Sequence, residues 1–134
     1  MKTRVYIIDD HPLVRRGLSA LVSAEPDLEI CGQNDDPSAA VQEIIRLQPD
    51  VVTIDISLNG SSGLELIKRI RAVGPRIQMV VLSMHHESVY ALRALKAGAR
   101  AYVMKHDAGT KVVEAIRQAR EGRMYVSDEV SRQM

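Results

Sequence analysis

At 134 residues the chain has room for one domain with a sizeable buried core. Its composition, 46% hydrophobic and 26% charged, is that of a globular protein rather than a disordered one. With 18 Lys and Arg against 17 Asp and Glu the net charge is +1, which argues against a domain that grips nucleic acid by its phosphates. The lone cysteine, Cys31, excludes an intrachain disulfide and fits a reducing cytoplasm; in the strand-like stretch Leu28–Cys31 it reads as a small buried apolar residue. No signal-peptide core is present, and no apolar run approaches the roughly 18 residues that a membrane span needs, so a soluble, cytoplasmic chain without membrane contact is expected.

Short β-branched runs alternate with helical patterns along the chain. Val5–Ile8 reads as a first strand ending in Asp9-Asp10, and Val14, Leu18, Leu21 and Val22 then form one face of a helix that starts at Pro12. Leu28–Gly32 reads as a second strand. Asp36-Pro37 combines an N-cap with a proline at the first helical position, and Val41, Ile44 and Ile45 supply the apolar face. Val51–Ile54 is a third strand that ends at Asp55. After the Ser57–Gly63 loop comes a helix with Leu66, Ile67 and Ile70 inward, stopped by Gly74-Pro75. Ile77–Leu82 is a fourth strand ending at Ser83; a helix follows from about Ser88 to Gly98. Ala101–Met104 is a fifth strand ending at Lys105, and a last helix runs from about Gly109 to Glu121 with Val112, Ile116 and Ala119 buried.

Five β–α units with short connections predict a doubly wound α/β sandwich. Right-handed crossovers favour a parallel sheet in the order 2-1-3-4-5. In such sheets ligands bind at the carboxyl ends of the strands, beside the point where strand order reverses, here between strands 1 and 3. Asp9, Asp10, Asp55, Ser83 and Lys105 all end strands on that rim. Each has a plain reading in isolation: the Asp pair as helix capping, Asp55 as a turn residue, Lys105 as a solvated lysine. Their joint placement is what carries information. Three carboxylates close together repel by about 4 kcal/mol per close pair at an effective dielectric of 20. Lys105 offers one positive charge, and carboxylates plus waters and a substrate phosphate are the usual surroundings of Mg²⁺. Such a site suits attack by Asp55 on a phosphoryl donor, giving an aspartyl phosphate.

Ile8-Asp9-Asp10-His11-Pro12, Asp55, Ser83 and Lys105 resemble the signature of the receiver domain of two-component response regulators, over essentially the whole chain. The stretches Asp9–Leu18 and Ala97–Tyr102 are similar to the NarL/FixJ branch, whose output is a LuxR-type helix-turn-helix domain. The resemblance implies a flavodoxin-like, CheY-like (βα)5 fold, with Asp55 as phosphoacceptor. Asp9, Asp10, Asp55 and the backbone carbonyl of Ser57 would hold Mg²⁺; Ser83 and Lys105 would bind the phosphate, and Tyr102 would be the switch aromatic. It further implies a sensor histidine kinase as partner, a homodimer on phosphorylation, and DNA contact only through the output domain. By this reading residues 1–121 are the receiver and 122–134 open a linker.

The chain departs from the family's habit at Asn59, where proline is frequent, at Ser62, where Asp or Asn is frequent, and at His106, where proline is frequent. These positions bear on the loop after Asp55 and on phosphate lifetime. His85-His86 reads as a loop pair without a metal, with His85 bordering the phosphate, while Arg117, Arg120 and Arg123 read as a solvated helix face. Three alternatives stand beside this reading. A stand-alone receiver differs only in its output. A small phosphohydrolase forming an aspartyl phosphate would carry Asp-x-Asp on its first strand rather than Asp9-Asp10. A flavodoxin-like binding module would carry a glycine- and hydroxyl-rich phosphate loop there.

Overall fold

In a computed structural model, which describes residues 2–56, 63–84 and 88–134, five strands form one parallel sheet in the order expected. They are β1 (Thr3–Ile8), β2 (Leu28–Asn34), β3 (Val51–Asp55), β4 (Gln78–Ser83) and β5 (Ala101–Met104), hydrogen-bonded as β2-β1-β3-β4-β5. The helices between them are α1 (Pro12–Ser23), α2 (Pro37–Leu47), α3 (Gly63–Val73), α4 (Ser88–Ala97) and α5 (Ala108–Arg120). Successive residues of β1, β3 and β4 serve opposite faces, as the pleat requires. Tyr6, Ile8, Val52, Ile54 and Val81 pack into one core with α2, α3 and α4, and Val5, Ile7, Val51, Val80 and Leu82 into another with α1 and α5. Both faces being covered, β3 is buried along its whole length, which is why its sequence shows no polar alternation.

The helix ends follow from their residues. Asp36 caps α2 by accepting from the Ala39 amide at 3.2 Å, with Pro37 at the first position. Gly98 ends α4 at a φ of 131°, a region closed to side chains, and a Cβ there would lie 2.6 Å from Cδ of Arg71. In β2 the pairing with β1 slips by one residue: Val5 stands beside Ile30, but Tyr6 stands beside Gly32. Ile30 faces the α1–α5 core, whereas Cys31 packs on the α2–α4 core. The ring of Tyr6 also lies against Gly32, where a Cβ would come within 2.7 Å of it. The Tyr6 hydroxyl donates to Glu43 on α2. The strand continues past the slip to Asn34, two residues beyond the end expected at Gly32, where the sequence alternation breaks.

One reading of the sequence needs correction. Arg117 is not merely a solvated residue of the last helix. Its Nε donates to Asp27 Oδ2 at 3.0 Å, and its Nη2 donates to Asp27 Oδ1 at 2.8 Å and Glu25 Oε1 at 2.6 Å. This planar fork ties α5 to the turn that leads into β2. The residues after α5, expected to open a linker, fold back on the domain. Gly122, at a φ of 77°, reverses the chain. Tyr125 then makes a parallel bridge to Ala101, and a sixth helix, α6 (Asp128–Gln133), buries Val130 against α4. Nothing in the periodicity of six residues announces that helix.

The Arg117 fork makes a prediction about acid. Hydrogen bonding to Arg117 holds the Asp27 carboxyl below its usual value. A carboxyl lowered by folding stabilises the native state above its unfolded value, near 4, and loses that contribution as pH falls through the folded value. Urea midpoints of the native chain and Arg117→Met should therefore differ at about pH 6, the variant being the weaker, and the difference should shrink as pH falls below the ordinary carboxylate range.

Candidate functional site at the carboxyl rim of the sheet

Strand register decides which side chains meet at the rim. Ile8 pairs with Ile54, so the next residues, Asp9 and Asp55, are neighbours. Asp55 pairs with Leu82, which sets Ser83 one residue further toward the rim, and Ser83 pairs with Met104, the residue before Lys105. The structure thus brings together the candidates of four strands. Asp9, Asp55 and Ser83 are fully buried, and the Lys105 side chain keeps only 10% of its surface exposed.

The central contact is an ion pair, Lys105 Nζ donating to Asp55 Oδ2 at 2.8 Å. The same ammonium lies 3.7 Å from Asp9 Oδ2. His11, which the sequence reading left without a role, is the sixth member. Its Nδ1 lies 3.1 Å from Asp9 Oδ1, 3.0 Å from Asp10 Oδ1 and 3.4 Å from Asp55 Oδ2. The Lys105 ammonium, a donor only, also stands 3.2 Å from that nitrogen, so His11 Nδ1 sits between one cation and three carboxylates. His11 occupies the N-cap of α1 yet makes no capping bond with its side chain. A histidine where Ser, Thr, Asp or Asn is preferred was the available signal. The capping reading of the Asp pair fails on the same geometry: Asp9 Oδ1 accepts from the His11 amide at 2.9 Å, outside α1. Arg15 of α1 completes the bracing by donating to the Asp9 carbonyl at 2.7 Å.

The electrostatics leave room for more positive charge. Burial pushes the Asp9 carboxyl above its ordinary range; the Asp55 charge pushes the same way, against the opposing bonds from His11 and the charge of Lys105. Asp9 Oδ2 and Asp10 Oδ1 are buried and make no hydrogen bond among the described residues. One ligand atom from each of Asp9, Asp10, His11 and Asp55 lies within 4.8 Å of the others. Two buried oxygens that make no hydrogen bond, one each from Asp9 and Asp10, beside the Asp55 carboxylate that Lys105 holds, fit a hard divalent cation.

Other site expectations divide plainly. Ser83 ends β4 on the rim, as read from the sequence, and Tyr102 is buried within β5, beside Val81. Ser57, Asn59, Ser62, His85 and His86 lie outside the described residues. Gly63, the first residue of α3, packs so closely on the residue after Asp55 that a Cβ there would lie 2.4 Å from Cγ1 of Ile56. That approach fixes the start of α3 beside the strand exit.

Comparison with known proteins agrees with this geometry. The profile of the response regulator receiver domain matches residues 5–117. The chain is 34% identical over 130 residues to the transcriptional regulatory protein LiaR of Bacillus subtilis, covering 96% of this chain and 61% of the relative. It is 32% identical over 128 residues to the nitrate/nitrite response regulator NarP of Escherichia coli, covering 96% and 60%. It therefore spans about three fifths of these relatives' length. A protein-glutamate methylesterase/protein-glutamine glutaminase of Nocardioides is 38% identical over 120 residues, which are 88% of this chain and only 33% of that enzyme. Among solved structures, a LuxR-family two-component response regulator from Aurantimonas superposes with a TM-score of 0.91 at 30% identity, over 98% of this chain and 94% of the other. The isolated apo receiver of RcsB from Salmonella enterica gives 0.90 at 26% identity, over 98% of both chains. A buried aspartate paired with a lysine beside two further carboxylates, on a sheet of this order, and a family match across most of the sequence lead to one assignment: the chain belongs to the response regulator receiver domains, with relatives of the NarL and LuxR type.

Proposed function

We propose that Asp55 accepts a phosphoryl group from a phosphohistidine of a sensor histidine kinase. The observation that carries this reading is the buried Asp55 carboxylate held at 2.8 Å by Lys105, beside Asp9 and Asp10. An Asp55 oxygen attacks phosphorus in line, the P–N bond to the kinase histidine breaks, and the imidazole leaves with the electron pair. Lys105, already on an Asp55 oxygen, then meets the phosphoryl oxygens, and Ser83 donates its hydroxyl to another. Asp9, Asp10, Asp55 and the Ser57 carbonyl would hold Mg²⁺, whose charge offsets that developing on the phosphoryl oxygens. The half-exposed His11 ring would have solvent to turn into if it yielded its place beside the carboxylates to the ion.

The receiver itself carries no further chemistry in this reading beyond its own phosphorylation and dephosphorylation. Its output is the control of transcription from a following LuxR-type helix-turn-helix domain, in the cytoplasm, with DNA reached through that domain alone. Residues 1–121 act as the receiver, and the segment from 122 leads onward. Phosphate draws Ser83 and its loop inward, Tyr102 turns with the vacated space, and a two-fold dimer through α1 or α5 sets two output domains on a palindromic site.

Three outcomes test the reading. Acetyl phosphate with Mg²⁺ should add one acid-labile phosphoryl group by intact mass, and both Asp55→Asn and chelation of the metal should reduce it to background. Full labelling of Asp55→Asn would remove Asp55 from its role. Calorimetric titration should show Asp10→Asn binding Mg²⁺ more weakly by at least the roughly tenfold that losing even an outer-shell partner causes. Ser83→Ala should still be labelled, yet in sedimentation its association constant should rise less on phosphorylation than that of the native chain. Equal constants for all forms would show that phosphate is not coupled to assembly.

A further inference from the structure

The returning C-terminal segment meets the domain at the face on which the proposed switch residue lies. The Tyr102 amide donates to the Tyr125 carbonyl at 3.0 Å, and the Tyr125 amide donates to the Arg100 carbonyl at 3.1 Å. Tyr125 therefore closes the outer edge of β5 at the two residues flanking Ala101. Such an edge presents unpaired backbone groups when uncovered. Two residues on, Ser127 caps α6 by accepting from the Val130 amide at 3.2 Å. Val130, only 6% exposed, belongs to the same buried cluster as Ala91 and Ala94 of α4 and Tyr102 of β5. A solvent-open cleft of about 290 Å³ runs between strap and domain, lined by Tyr102, His106, Lys111, Tyr125 and Val130 among others. A segment held by one buried side chain and a few backbone hydrogen bonds beside such a cleft opens at low free energy.

We propose that Tyr125–Gln133 is a strap that senses the state of Tyr102 and α4, seated in the structure described and released by the phosphoryl group. It rests on Asp55 as phosphoacceptor. The strap fits one arrangement of α4 and of the β5 edge, so movement of either one loses its hydrogen bonds and its anchor together. Linkage then runs both ways: whatever phosphate does to the strap, loss of the strap does to phosphate by the same factor. The receiver thereby presents or withholds the chain that leaves it, with no new contact at the rim.

Beryllium fluoride, which coordinates a carboxylate oxygen as a phosphoryl analogue, makes both directions measurable at equilibrium in the presence of Mg²⁺. Hydrogen exchange at the Tyr102 and Tyr125 amides of the native chain should accelerate when the analogue binds. Val130→Asp should accelerate the same amides without it, and should bind the analogue about fivefold or more tightly. Because Val130→Asp places a charge in a buried site, Ser127→Ala and a chain ending at Gly122 provide the same release without it. If the analogue binds while the two amides keep their native rates, or if the released variants bind it with native affinity, the strap is inert and Asp55 keeps its role. If the analogue fails to bind the native chain at all, the phosphoacceptor reading falls and takes the strap's regulatory role with it.

Discussion

Like charges gathered in a buried place set the terms for the rest of this molecule. Asp9 and Asp55 are fully enclosed at the rim and Asp10 nearly so, an arrangement that no packing energy favours by itself. It persists because Lys105 reaches across from the end of β5 to Asp55 and Asp9, and because His11 turns its ring inward instead of capping α1. Lys105 and His11 come from opposite ends of the sequence. Only the parallel sheet in this order delivers Lys105 to Asp55, so the fold and the charge balance depend on each other. Apolar residues of similar volume would pack as well in its place, so the cluster is not there for stability.

Much of this could be read from residues alone, for physical reasons that differ by element. Strands buried on both faces announce themselves as continuous β-branched runs, and Val51–Ile54 is the plainest. Asp36-Pro37 fixed the start of α2 because capping is a local affair between a side chain and the next turn. The rim residues were legible because topology, once assumed, sends every strand end to one side. His11 was missed since its role depends on three carboxylates from two strands, which no local pattern encodes. Arg117 was misread for a similar reason: its partners, Glu25 and Asp27, stand some 90 residues away.

The tail shows the limit most clearly. Gly122 is a visible turn signal, but a six-residue helix has too few apolar positions to display a period, and its one anchor, Val130, looks like any isolated valine. What seats it is a surface made by α4 and β5, elements more than 20 residues upstream by the numbering. The chain matches a large share of transcriptional regulators and one third of a methylesterase with comparable identity, so the receiver constrains its own core and rim far more than what comes after them.

The one-residue slip in β2 has a consequence for how this fold tolerates changes of length. Ordinarily a residue gained or lost in a strand turns every later side chain to the wrong face. Here Ile30 faces one core while Cys31 and Gly32 both lie on the other, so the inversion has already been absorbed at Cys31. Removing that residue would leave Val5 beside Ile30 and Tyr6 beside Gly32 as consecutive pairs, with Asn34 still facing Glu43 and its carbonyl still on the Asp9 amide. The outermost strand thus contains an expansion joint. A one-residue deletion at Cys31 can be taken up there, and the acidic rim, three residues past Tyr6 at Asp9, keeps its register.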